Sequence, residues 1–137
     1  MIKLIKILGK GNNVPEITSV KAPYGRHVTK GAVYFISGGS LSYIKDSDVL
    51  VRFIPIESLE DGHKIPLVKG YIVTPGMIFE ADTVGDFSEK NVGDNFALYE
   101  DSNNDLTAIS SDIGSDGNII SMDDHSTTGK VLITLNS

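Results

Sequence analysis

The chain lacks any stretch that could form a long amphipathic helix, and this limits its fold more than any other feature. No window of about 12 residues places apolar side chains at three- and four-residue spacing without an intervening glycine or proline. Short runs of Val, Ile, Tyr and Phe are instead separated, roughly every eight to twelve residues, by Gly, Pro, Asn or Asp. Such spacing is typical of barrels and sandwiches, so the sequence predicts an all-β fold.

Turn residues give the strongest local signals. Between "AVYFIS" (Ala32–Ser37) and "LSYI" (Leu41–Ile44), the letters "GGS" predict a tight hairpin. Pro75-Gly76 predicts a type II turn between two strands, because glycine there supplies the positive φ. The polar, acidic stretch Asp101–Gly117 is predicted to be loop.

The charge distribution divides the chain unevenly. Residues 1–30 carry six basic groups against one acidic group, whereas residues 31–137 carry six basic and seventeen acidic groups. A basic segment on an acidic chain indicates a segment with its own partner. We therefore predict a small antiparallel β-barrel or sandwich with an extended N-terminal arm: residues 1–20 form an arm or edge strand, and residues 21–137 form a single domain.

The stretch "LGKGNNVPEI" (Leu8–Ile17) lies inside this basic segment. A phosphate-binding loop would need Gly-Lys-Ser/Thr opening a helix, and no helix signal follows here. Gly9 and Gly11 loosen the backbone, while Pro15 favours an extended conformation at Val14. We interpret the stretch as a hinge where an N-terminal strand leaves the β-body to reach a neighbour.

Neither a metal site nor another cofactor is predicted. Asp101, Asn103, Asp105 and Asp112 have the spacing of a calcium loop, but Leu106 stands where the loop needs glycine. A solvated acidic loop is therefore the preferred interpretation. The cluster "DDH" at residues 123–125 is also a poor site, since neighbouring residues on a strand point to opposite faces.

No enzyme is predicted either. The chain has no cysteine, its histidines (His27, His63 and His125) are far apart in the sequence, and no Gly-x-Ser-x-Gly motif occurs. Nucleic acid is not an expected partner, because the aromatic residues other than Tyr24 lie in the acidic part of the chain. A membrane is not expected, because no run of about 18 apolar residues exists.

Five segments in a fixed order carry a family resemblance. They are "MIKLIKILGKGNNVPEI", "VTKGAVYFISGGSLSYI", "IPLVKGYIVTPGMIFEA", "VGDNFALYED" and "TTGKVLITL". With its arm, its Lys-Gly and Gly-Asp turns and its closing Gly-Lys-Val strand, this order resembles the all-β decoration, or cement, proteins on the capsids of tailed bacteriophages.

The resemblance implies a non-enzymatic virion protein on the outside of the phage head, assembled in the host bacterial cytoplasm. Its partner would be the major capsid protein, whose joints it would stabilise, and copies of itself could also associate on the shell. Two alternatives remain open: another virion part, such as a head-fibre base or a tail or baseplate adaptor, and a free carbohydrate- or ligand-binding β-module.

The expected partner interface follows from the basic segment. An extended basic strand would pair with strand edges and complement an acidic patch on the shell. The residues expected there are Lys3, Lys6, Lys10, Asn12, Asn13, Lys21 and Arg26.

Overall fold

The computed structural model describes residues 1–7, 16–43, 51–122 and 129–136, with the side chain of Lys6 left out. These residues form strands and turns and contain no helix. The strands are β1 (Ile2–Ile7), β2 (Thr18–Lys21), β3 (Tyr34–Ser37), β4 (Ser40–Ser42), β5 (Arg52–Pro55), β6 (Leu67–Ile72), β7 (Met77–Val84), β8 (Asn95–Glu100), β9 (Leu106–Ser110), β10 (Gly117–Ser121) and β11 (Lys130–Leu135). The prediction of a small all-β barrel fold is confirmed.

The first barrel closes in the order β2-β4-β3-β5-β6. Its pairs are antiparallel, except that β2 meets β4 in parallel at Lys21 and Ser40. The β3–β4 hairpin turns through Gly38 and Gly39, both with positive φ, which confirms the predicted tight turn.

The second barrel repeats this topology. Its order is β7-β9-β8-β10-β11, and it also closes through a parallel pair, β7 with β9. In each barrel the first strand runs parallel to the third, the second pairs with the third and fourth, and the fifth pairs with the fourth and first. The region predicted as one barrel or sandwich thus holds two barrels of the same fold.

A short sequence pattern accompanies this structural repeat. Gly31 and Gly93 both have positive φ, and each stands three residues before a buried aromatic residue of the second strand. Those aromatics, Tyr34 and Phe96, lie in the cores of the first and second barrel, respectively. The glycine turns the backbone into the strand, and the aromatic ring then fills the barrel interior.

Strand β1 occupies the edge of the larger sheet. It pairs antiparallel with the first half of β7, from Met77 to Ala81. Ile2 is buried in the core of the second barrel, and the N-terminal ammonium lies 2.6 Å from the carboxylate of Asp82. Residues 2–7, the start of the predicted arm, are therefore an edge strand bound to the body. Of the predicted hinge, residues 8–15 lie outside the described residues.

Contacts between the two barrels include both side chains and backbone groups. Val33, Ile54 and Val73 come from the first barrel or its edges, yet they pack in the core of the second. The backbone N–H of Val33 also donates to the carbonyl of Leu106, 2.9 Å away, joining β9 to the segment before β3. Apolar packing and backbone pairing therefore both cross the boundary.

The loop predicted for Asp101–Gly117 is wrong in part, because β9 runs from Leu106 to Ser110 within it. Ala108 and Ile109 of this strand are buried. The run is short and has polar residues on both sides, so its β-signal is diluted in the sequence. It forms because β7 and β8 both offer it backbone partners.

Gly70 of β6 permits a close approach between β6 and β5. A Cβ at this position would collide with the carbonyl oxygen of Ile54, the Cα of Pro55 and the ring of Phe53. Since two of these atoms belong to the backbone, rotamer changes cannot remove the collision. We expect Gly70→Ala to lower the free energy of unfolding by about 2–3 kcal/mol.

Urea denaturation measures this effect. The neighbouring exposed position supplies the control, Lys69→Ala, which adds no atom to the interior. Equal denaturation midpoints for the two variants would contradict the packing role of Gly70.

Candidate functional site

A cluster of polar side chains joins the two barrels, and we call it the inter-barrel cluster (His27, Thr29, Tyr34, Asp61 and Asp105). At its centre Asp105, which precedes β9, is only 1% exposed. Its carboxylate accepts hydrogen bonds from the Tyr34 hydroxyl at 2.9 Å and the Thr29 hydroxyl at 2.7 Å. The His27 Nε2 lies 3.1 Å from the same carboxylate. These three partners all come from the first barrel.

Local backbone geometry places Asp105 for this role. The carboxylate of Asp101 accepts the backbone N–H groups of Asn103 and Asp105, at 2.9 and 3.0 Å, and so closes a tight turn. Asn104 adopts a positive φ within that turn. The acidic loop therefore folds on itself and directs the Asp105 side chain into the first barrel.

The interpretation of a solvated acidic loop is wrong for Asp105, which is buried. Its carboxylate oxygens already serve protein donors, and Asp101 binds the backbone of its own turn. Within the described residues, no group of three or more His, Asp or Glu side chains is arranged to hold a metal ion. The "DDH" cluster at residues 123–125 lies outside those residues.

His27 lies between two carboxylates. Its Nδ1 is 3.2 Å from Asp61 and its Nε2 is 3.1 Å from Asp105. The imidazolium form can donate to both, whereas a neutral ring has a single N–H donor. Hydrogen bonds from the His27 backbone N–H and then its side chain lower the pKa of Asp61. Both ring nitrogens therefore face carboxylates of the protein itself.

Aromatic side chains close the cluster on one side. The guanidinium carbon of Arg26 lies 3.6 Å from the centroid of the Tyr43 ring, in cation–π geometry. Tyr43 also meets Tyr34 edge-on, with 5.0 Å between ring centroids. Burial raises the pKa of Tyr43 to about 12 and also raises that of Tyr34. The Tyr43 hydroxyl is buried and finds no hydrogen-bond partner among the described residues.

A second buried charge crosses the boundary in the opposite direction. Arg52 of β5, in the first barrel, is 1% exposed. Its guanidinium donates to the carbonyl of Asn136 at 2.6 Å and to the carboxylate of Asp116 at 3.2 Å, both in the second barrel. Asp116 in turn accepts the backbone N–H of Leu98 at 2.9 Å. Each barrel therefore inserts one charged side chain into the other.

A groove lies beside strand β1, and we call it the basic groove. It has a volume of about 450 Å³ and runs between β1 and the first barrel. Its apolar lining includes Ile54, Ile56 and Tyr71, and it is also lined by Lys3 and Lys30, both exposed. The groove therefore combines apolar surface with positive charge.

The structure separates the residues predicted for the partner interface. Lys3 lines the basic groove, and Lys21 is exposed at the end of β2. Arg26, although exposed, covers Tyr43 next to the inter-barrel cluster. Lys6 belongs to β1, but its side chain is not described, and Lys10, Asn12 and Asn13 lie outside the described residues.

Sequence reasoning did not single out Lys30 or Arg52, and it considered Asp105 only as a position of a possible calcium loop. The signal for Lys30 was its place before Gly31, in the turn that leads into β3. Arg52 is the only charged residue within "VLVRFIPI", and a charge in so apolar a run indicates a buried pair. Asp105 had no local signal, because its three partners are more than 70 residues away in the sequence.

Comparison with known proteins adds no family to this description. No protein-family model, curated protein or solved structure matches the chain. Among the described residues, no helix is long and apolar enough to cross a bilayer.

Removing the Asp105 carboxylate tests the role of the inter-barrel cluster. Asp105→Ala leaves His27, Thr29 and Tyr34 without their buried acceptor, so we expect a loss of about 3–5 kcal/mol in the free energy of unfolding. The exposed Asp112 provides the matched control, and Asp112→Ala should stay within about 0.5 kcal/mol. Urea denaturation of both variants measures the difference, and similar losses for the two would argue against a buried role for Asp105.

The raised pKa of Tyr43 predicts a loss of stability in alkali. Between pH 10 and about 12 the unfolded phenol releases its proton while the folded one retains it. The Tyr43 contribution is therefore complete below pH 10 and is lost as the pH rises through this window. With Tyr43→Phe, the free energy of unfolding should decline less steeply with pH, the difference being less than about 1.4 kcal/mol per pH unit. Urea denaturation from pH 9 to 11.5 measures this decline, and Tyr24→Phe, at a highly exposed tyrosine, is the control. If the free energy of unfolding falls equally steeply with pH in both variants, Tyr43 is not the cause of the decline.

Proposed function

We propose that this chain is a non-enzymatic decoration, or cement, protein on the outer surface of a tailed-phage head. One observation carries the proposal. The cluster around His27 directs its polar groups at one another and joins the two barrels, while the described residues leave the basic groove beside an edge strand uncovered. This division of roles suits a protein that binds and stiffens an assembly and performs no reaction.

The paired barrels support the mechanical part of the proposal. A protein that stabilises a joint must resist separation of the surfaces it connects. First-barrel side chains packed in the core of the second barrel hold the two together. The buried charges Asp105 and Arg52 also make relative movement costly, because movement would leave them unpaired in the interior. In the proposed role, load applied to one barrel is passed to the other.

Exposed apolar side chains support contacts at more than one place. Ile113 is 95% exposed and Tyr24 is 82% exposed, and they belong to the second and the first barrel, respectively. Burying such side chains against capsid subunits would add hydrophobic stabilisation to the electrostatic contribution of the lysines. Many copies on one shell would further strengthen attachment through avidity.

The major capsid protein is the proposed partner, and the virion surface is the proposed location, reached after assembly in the host cytoplasm. A head-fibre base or a tail or baseplate adaptor would use the same kind of body on another virion part. A sugar-binding module would need adjacent exposed aromatics. Tyr34 and Tyr43 do meet edge-on, but Tyr34 is buried and the Tyr43 ring is covered by Arg26.

Co-sedimentation with capsids tests the proposal directly. Heads of the phage that encodes the chain, assembled without it, are mixed with purified protein and centrifuged. We expect saturable binding that weakens as salt rises, because the lysines would contact an acidic surface. Bound protein should also raise the temperature at which the heads release their DNA.

Isolated tails and baseplates from the same phage are the comparison. Binding to tails or baseplates but not to heads would contradict the decoration role and support the role of a tail or baseplate adaptor. Absence of binding to any virion part at low salt, together with a melting shift caused by a glycan, would overturn the virion proposal.

A further inference from the structure

Among the described residues, some backbone groups on the outer edge of β1 have no partner. The N–H of Ile2 points away from β7 and donates to the carbonyl of Gly31 at 2.8 Å. Because backbone groups alternate along a strand, the N–H and C=O of Leu4 point to the same outer side. No described residue makes a backbone hydrogen bond to Leu4 on that side.

The basic groove lies along this free edge. Leu4 contributes to its lining, opposite Ile54 and Ile56 from the first barrel. Ile2 and Gly31, which are joined by this hydrogen bond, also line the groove. A strand laid in the groove could pair with Leu4 while its side chains reach apolar surface.

Strand β1 is held in place by the second barrel, so it is suited to accept a strand from a partner. Ile2 is buried, and the terminal ammonium group forms an ion pair with Asp82. Detaching β1 to serve as a donor strand would expose Ile2 and remove the pairing with β7. The described structure therefore favours a partner segment moving to β1 over β1 moving to a partner.

We propose that the basic groove binds an extended acidic segment of a partner protein, which adds to the sheet as a strand next to β1. Its acidic side chains pair with Lys3 and Lys30, and its alternate apolar side chains contact Ile54, Ile56 and Tyr71. This mode is β-strand addition, in which the main chain supplies affinity and the side chains supply specificity. The identity of the partner as the capsid protein rests on the proposed function; the strand-accepting role of the groove does not.

Charge favours an acidic partner segment in the basic groove over the β1 strand of a second copy of this chain. Antiparallel pairing of two β1 strands would bring the lysines of "IKLIKI" together across the interface. Like charges on neighbouring strands are destabilising, and lysines on edge strands discourage self-pairing. An acidic strand meets the same lysines with favourable charge.

A designed peptide supplies the probe. The first peptide is a fluorescent, end-blocked heptapeptide of alternating Glu and Val, titrated with the full chain and followed by anisotropy. A second has the same sequence with N-methyl groups on alternate residues, which blocks pairing along one edge but leaves the charge intact; both alternations are made. A third replaces Glu with Lys.

We expect the first peptide to bind, at least one N-methylated form to lose at least tenfold in affinity, and the Lys peptide not to bind. Lys3→Gln with Lys30→Gln should weaken binding about tenfold. Neutral glutamine is used because Glu80 stands opposite Lys3 in the sheet. The control, Lys64→Gln with Lys69→Gln, removes two exposed charges elsewhere and should bind like the unchanged protein. Hydrogen exchange of the Leu4 amide should slow on binding.

Any one of three results would overturn the proposal. These are equal affinity for the unmethylated peptide and both N-methylated forms, an equal loss of affinity in both double variants, and unchanged hydrogen exchange at the Leu4 amide on binding. Sedimentation equilibrium adds a further check. A concentration-dependent dimer that disappears in the Lys3/Lys30 variant would place a second copy in the groove and also overturn it. If phage heads bind the protein but the protein does not bind the Glu-Val peptide, only the proposal for the groove is refuted. If the protein binds the peptide but not the heads, only the decoration role is refuted.

Discussion

The exchange of buried charges between the barrels is the interaction on which the rest of the structure depends. Asp105 enters the first barrel and Arg52 reaches the second, and each meets more than one hydrogen-bonding partner. A buried charge is costly unless it is paired, so each charge requires the other barrel to stay in place. Two barrels that each have their own core thereby become one body.

That coupling also creates the basic groove. Strand β1 belongs to the sheet of the second barrel, whereas Ile54, Ile56 and Tyr71 come from the first. The groove lies between the two barrels and takes its shape from their fixed relative position. The binding surface that we propose exists because two small barrels are held against each other.

The shared strand order indicates that one fold has been used twice. The barrels differ in what they contribute: the second carries β1 along the edge of β7, while the first supplies Lys30 to the groove and His27 to the inter-barrel cluster. Gly31 and Gly93 stand at matching positions, each three residues before the aromatic ring that fills its barrel. A left-handed turn favours glycine, and a large ring fills the interior at close packing.

The sequence by itself determined the all-β class, the hairpin at Gly38-Gly39, the turn at Gly76 and the basic character of the N-terminal segment. These follow from local rules: side-chain periodicity, positive φ at glycine and the sum of charges. Only the tertiary structure decided that there are two barrels, that Asp105 is buried and that Lys3 and Lys30 share a groove. Each of these depends on contacts between residues far apart in the chain, and local composition carries no record of such partners.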